Sequence, residues 1–197
     1  MLNNYSDGPD IKEDQLEHLQ AYLNEKEAWA LFDQLKENLP WQQGKLNMYG
    51  KKVLTPRLEC FFSDSNKNYS YSGQALKTHS WTPSLETLKN NLNTKFNLNL
   101  NACLANFYRD GKDKVGWHAD DEANLGKQPI IASLSLGHTR TFQIKHHKTK
   151  KSHNLLLKHG SLLIMKGSFQ EDFLHQIPQE NQVLGSRINL TFRTIKS

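Results

Sequence analysis

The chain has 197 residues, only two cysteines (Cys60 and Cys103) and a formal net charge of +5, a length that suits one domain with at most a modest appendage. Two cysteines exclude a disulfide scaffold, a four-cysteine zinc site and an iron–sulfur cluster built from this chain alone. The charge favours anionic partners without naming one, and no apolar run approaches the roughly 20 residues of a membrane helix.

The first fifteen residues lack the basic-then-apolar layout of a signal peptide, so a cytoplasmic protein is expected, or a nuclear one in a eukaryote. Residues 11–23 and 25–38 space their apolar side chains by three and four, through Leu16, Leu19 and Leu23 and then Trp29, Phe32 and Leu35. That spacing predicts two helices, with Pro40 closing the second. Residues 1–25 read as a partly helical extension and 26–197 as a single domain. A third helix is expected from a Thr82 cap and Pro83 to about Asn97, with Leu85, Leu88 and Leu92 as its buried stripe.

From about residue 45 the texture changes to short alternating or apolar runs divided by Gly, Asn, Asp and Lys. Strands are predicted at 103–108, 130–136, 140–145, 154–158, 161–165 and 187–194, with weaker signals at 115–118, Phe61 and 69–71. Many short strands without helical spacing after residue 100 predict an antiparallel sandwich or barrel, mainly β within an α+β class, with the N-terminal helices packed against it.

The last strand carries the first chemical signal. Alternation puts Ile188, Leu190 and Phe192 on one face and Arg187, Asn189, Thr191 and Arg193 on the other. The polar face suits either a solvated edge strand or a dicarboxylate, which guanidinium groups grip through paired charge-assisted hydrogen bonds. Asn106 and Tyr108 share a strand face and add uncharged donors.

His118 and Asp120 are two residues apart, so their side chains point the same way from a strand or its end. A surface turn has the same spacing. With a distant third ligand, for which His175 is the candidate, they would form the two-histidine, one-carboxylate triad of nonheme iron oxygenases. The other histidines offer no carboxylate two residues away; His18 and His79 read as surface, and His146, His147, His153 and His159 belong to a lysine-rich stretch.

Taken in order, Asn106 to Gly111 (NFYRDG), Trp117 to Glu122 (WHADDE), Ile131 to Gly137, His159 to Leu163, His175 and Arg187 to Arg193 (RINLTFR) make a sequence that resembles the AlkB family of Fe(II)- and 2-oxoglutarate-dependent nucleic-acid dealkylating dioxygenases. The match covers roughly residues 45–195. It implies a double-stranded β-helix, a jelly-roll barrel, that uses Fe(II), 2-oxoglutarate and O2. By match of motif, His118, Asp120 and His175 would hold the iron. Arg187 and Arg193 would take the two carboxylates, and Asn106, Tyr108, Asn189 and Thr191 would complete that pocket.

The resemblance further implies repair of alkylated DNA, or RNA, by oxidative removal of the methyl group of 1-methyladenine or 3-methylcytosine, with release of formaldehyde, succinate and carbon dioxide. A paired base must first be flipped out. Residues 45–75 would form a nucleotide-recognition lid. In it Tyr71 would stack on the base with Tyr69 beside it, and Met48, Tyr49, Gly50 and Lys51 would form a finger that fills the gap in the duplex. Asp121 and Glu122 would accept from the exocyclic amine. Ordinary strand aromatics, a hairpin tip and an acidic turn are the alternatives at these places.

Lys145 to His153 is the strongest basic cluster and suits either phosphate contact or a solvated loop. The loop Gln179-Glu180-Asn181-Gln182 lacks the basic residues some duplex-acting relatives carry there, which leaves duplex against single strand open. A hydroxylase of protein or small molecules built on the same barrel is the first rival, a nonenzymatic nucleic-acid-binding module the second. A monomer is expected.

Overall fold

The computed structural model describes residues 8–48, 51–64, 69–71 and 74–196. The elements in chain order are β1 (Leu16–Leu19), α1 (Glu25–Asn38), β2 (Gln42–Met48), β3 (Lys51–Ser63), β4 (Tyr69–Tyr71), β5 (Gln74–Leu76), β6 (Thr78–His79) and α2 (Pro83–Phe96). There follow β7 (Ala102–Tyr108), β8 (Val115–His118), β9 (Ile131–Gly137), β10 (Arg140–His146), β11 (Ser152–Leu157), β12 (Ser161–Met165), α3 (Phe169–Asp172), β13 (Phe173–Ile177) and β14 (Arg187–Arg193).

Two sheets face each other as a jelly roll. The larger runs β1-β12-β9-β14-β7-β3-β2, with β6 added alongside β3; the smaller runs β11-β10-β13-β8; β4 and β5 pair by themselves. All pairings are antiparallel except β3 with β6. β14 lies inside the larger sheet, between β9 and β7, and all seven of its residues are buried. It is therefore no solvated edge. Its two faces meet two different interiors, an apolar one outside the barrel and a polar one within.

The apolar interior lies between the larger sheet and the helices. Ile188, Leu190 and Phe192 join Leu134, Leu136 and Ala105 in one cluster with Phe32 and Leu35 of α1 and Leu85, Leu88 and Leu92 of α2. The second cluster packs between the sheets beside the polar interior, from Tyr108, Ile131, Leu163 and Met165 to Phe142, Ile144, Phe173 and Ile177.

Both helices form where their spacing predicts. α1 begins in a capping box: Glu27 N donates to Asn24 Oδ1 at 2.9 Å and Asn24 N donates to Glu27 Oε2 at 3.3 Å, which satisfies two otherwise orphaned amides. Replacing Asn24 with alanine should lower stability by about 1 kcal/mol in a denaturant titration. α1 turns Ala28, Phe32 and Leu35 inward and leaves Trp29 half-exposed, its ring tilted against His159 at 4.3 Å between centroids. α2 starts at Pro83 behind a Thr82 cap and ends at Asn97 in the left-handed conformation.

The helix expected over 11–23 does not form. Leu16–Leu19 is instead a strand that extends the larger sheet by pairing with β12, Leu16 opposite Met165 and Leu19 opposite Leu162. Tertiary pairing overrides a pattern that four residues share equally with a helix. His18 is accordingly half-buried on β1, and burial pushes its imidazole below the usual value. Among the described residues no helix is long and apolar enough to cross a membrane.

Candidate active site

The polar interior of the barrel is a part-open cavity. Strand alternation delivers its lining. β14 projects Arg187, Asn189, Thr191 and Arg193 into it, β7 adds Asn106 and Tyr108, and His118, Asp120 and His175 close it from the smaller sheet. The residues read from the sequence as metal or diacid ligands thus line one cavity.

His118 ends β8 and stands directly opposite His175 of β13 in the ladder, their rings 4.3 Å apart. Asp120 lies just beyond β8, its Oδ2 3.7 Å from His175 Nε2. One potential ligand atom from each of the three lies within 4.8 Å of the others, which is the donor set of a facial triad. His118 Nδ1 sits 2.8 Å from the Gly116 carbonyl; as a donor there it leaves Nε2 as the lone-pair nitrogen for a metal. His175 is pushed down to about 3 by burial, with the neighbouring His118 adding to the effect, so it stays neutral and able to ligate. Burial opposes ionisation of Asp120, but Arg193, His175 and His118 outweigh it and hold the carboxyl below its usual value. Two neutral imidazoles beside one carboxylate fit a divalent ion.

The diacid end fits as well. Arg187 is fully buried; its Nη2 donates to Ser135 Oγ at 2.9 Å, while Nε and Nη1 have no hydrogen-bond partner within the protein. Such donors call for an anion. The Tyr108 ring lies close to the guanidinium groups of both Arg187 and Arg140, at 5.1 and 5.6 Å. Arg193 Nη2 is 3.4 Å from Asp120 Oδ1, so it bridges the diacid wall and the metal cluster. Asn189 donates to Ser133 Oγ at 2.8 Å and accepts from Thr191 Oγ1 at 2.9 Å.

Several residues in and around the cavity were given no role by the sequence. Ser133 and Ser135 alternate on β9 opposite Thr191 and Asn189, and the two-residue period of IASLSL could have revealed them. Arg57 donates from Nε to Asn106 Oδ1 at 2.7 Å; it sits in a long strand disguised by Lys51, Lys52 and Pro56. Glu180, in the loop that lacks basic residues, accepts from Arg140 Nε at 2.8 Å and from Thr141 Oγ1 at 2.7 Å. Its place in that loop is structural.

The sequence model of the 2OG-Fe(II) oxygenase superfamily matches residues 15–193, and the mouse DNA oxidative demethylase ALKBH2 is 32% identical over 206 residues, covering 94% of this chain and 86% of its own length. The chain belongs to the 2OG-Fe(II) oxygenase superfamily, in its AlkB branch. The human alpha-ketoglutarate-dependent dioxygenase alkB homolog 3 is 37% identical over 184 residues, 89% of this chain; the chain spans 64% of that relative's length. The solved structure of OsALKBH1 matches with a TM-score of 0.63 at 18% identity, over 94% of this chain and all of that one, and attests the fold.

Met48 and Lys51 pair at the end of the β2–β3 hairpin, and Tyr69 and Tyr71 lie on β4 opposite Leu76 and Gln74; Tyr49 and Gly50 lie outside the described residues. Asp121 is exposed. Glu122 is half-buried, one of its carboxylate oxygens has no hydrogen-bond partner, and burial pushes its carboxyl up. The basic run is the β10–β11 hairpin, and its first lysine, Lys145, lies 4.1 Å above the ring of the part-exposed Trp117, next to His118.

Proposed function

We propose that the protein repairs alkylated nucleic acid by oxidative demethylation of 1-methyladenine and 3-methylcytosine in DNA or RNA, acting as a monomer. The observation that carries this reading is the convergence of His118, Asp120 and His175 within 4.8 Å, in the same cavity as the buried Arg187. The names of the relatives, a DNA oxidative demethylase among them, supply the substrate class. Fe(II), 2-oxoglutarate and O2 would together supply the oxidising power.

The chain's own residues bind, orient and exclude water. His118, Asp120 and His175 would hold the metal. Arg187, with Tyr108 beside it, takes one carboxylate of 2-oxoglutarate, and Arg193 takes the other; Asn106, Asn189 and Thr191 fix the pocket's polar wall. Residues 45–75 form the lid over the base within a dioxygenase domain of residues 26–197. Tyr71 and Tyr69 stack on the base, Asp121 and Glu122 accept from its exocyclic amine, and Met48 to Lys51 wedge the duplex. Lys145, Lys148, Lys150 and Lys151 meet phosphates, which predicts affinity that falls with salt.

The test is incubation with oligonucleotides carrying 1-methyladenine or 3-methylcytosine, Fe(II), ascorbate and 2-oxoglutarate, followed by mass spectrometry. The expected result is loss of one methylene mass from the modified base, dependent on 2-oxoglutarate. Consumption of 2-oxoglutarate without that loss would instead support a hydroxylase of another substrate class.

A further inference from the structure

Asp120 is held from its backbone side by a residue that carries no motif. Its amide donates to Gln170 Oε1 at 2.9 Å, and Gln170 is 3% exposed, on the short helix α3. The other end of that side chain finds only the Met165 sulfur, 3.6 Å from Nε2, a weak acceptor. Its chain neighbour Phe169 belongs to the apolar core of the barrel. A primary amide in such surroundings costs stability unless its groups are paired. Its one strong hydrogen bond ends on the candidate metal ligand.

α3 is itself fixed from outside. Gln15, buried just before β1, donates from Nε2 to Ser168 Oγ and Asp172 Oδ2, each at 2.8 Å, and Ser168 Oγ donates to the same Asp172 oxygen at 2.6 Å. Lys166 N donates to Gln15 O at 2.9 Å, and His147 N to Asp172 O at 2.8 Å. Four residues are too few for a helix to persist by its own hydrogen bonds, so these contacts set where α3 lies. β8 ends at His118, so at Asp120 the ladder no longer directs the backbone. The Gln170 bond does.

We propose that Gln170 is a positioning residue of the metal centre, setting the Asp120 carboxylate against His118 and His175, and that Gln15 supports it from the N-terminal segment. The proposal rests on the reading of those three residues as metal ligands. It gives residues 12–19 a part in the site, which their place outside the cavity conceals.

The test is titration of the full-length chain with Co(II) without oxygen, read by visible absorption, beside thermal melting of the metal-free protein. Gln170→Met, similar in volume but without the oxygen acceptor, should bind Co(II) roughly 10–100-fold more weakly, with a changed absorption envelope at saturation and a melting temperature lowered by no more than the few degrees that one orphaned amide costs. Gln170→Glu keeps an acceptor and should retain most of the native affinity, while Gln15→Leu should show a smaller loss in the same direction. Native affinity and spectrum in Gln170→Met would overturn the proposal. So would a weakening that tracks lowered melting temperature and is not restored by Gln170→Glu, since that is general packing. A native chain that shows no Co(II) band would overturn the ligand reading beneath it, and the proposal with it.

Discussion

Replacing His118 with alanine should abolish metal binding and demethylation while leaving the fold intact. The ring is only half-buried, at the end of a strand in the smaller sheet, and its one hydrogen bond runs to the Gly116 carbonyl two residues away. Little packing is lost with it. The metal cluster loses one ligand of three, and Asp120 with His175 cannot fix an ion on a face by themselves. The activity loss should exceed the roughly 10–100-fold that removal of an outer-shell partner costs.

His118 is a cleaner choice than Asp120 for this experiment. Removing the Asp120 carboxylate would take from Arg193 an anion 3.4 Å away, mixing loss of a metal ligand with an altered diacid wall. The measurements are metal content after dialysis and methyl removal from a 1-methyladenine oligonucleotide. Metal binding and turnover at the native level in His118→Ala would place the metal elsewhere.

How much of this was legible depends on which interaction decides each element. The polar face of β14 could be read because alternation is local and has a period of two; that it faces a cavity rather than water could not, because β7 and β9 flank the strand and the smaller sheet closes over its face, all from far along the chain. α1 and α2 carry their own caps and stripes. β1 carries no such signal and takes its conformation from β12, some 145 residues away in the chain, so the helical spacing misled. β13 buries Phe173, His175 and Ile177 in alternation, yet five residues are too few for that period to stand out, and motif order alone marks the histidine. Motif order found the candidate ligands; it could not find Arg57 or Gln170, whose importance lies in contacts across 49 and 50 residues of sequence.

Arg187→Met should change two properties in opposite directions. In the absence of 2-oxoglutarate the variant should be as stable as the native chain or more so; in its presence it should bind the diacid far more weakly. The native guanidinium is fully buried, and two of its three nitrogens, Nε and Nη1, lack hydrogen-bond partners within the protein. Burial pushes its pKa down to about 10, against the raising influence of Tyr108 and with the like charge of Arg140 lowering it further. Buried donors without partners cost about 1–3 kcal/mol, and a methionine of similar length removes that cost. For a chain of this size each kcal/mol moves the melting temperature by roughly 2–4 °C, so a rise of a few degrees is expected by calorimetry. The diacid then loses its paired, buried cation, a change of about 2–5 kcal/mol, or roughly 30- to 5,000-fold in affinity. Titration with 2-oxoglutarate in the presence of Mn(II) measures it. Arg187→Lys should fall between, since an ammonium keeps the charge but not the planar fork. Unchanged 2-oxoglutarate affinity in Arg187→Met would remove this arginine from the cosubstrate site and leave its burial without a function.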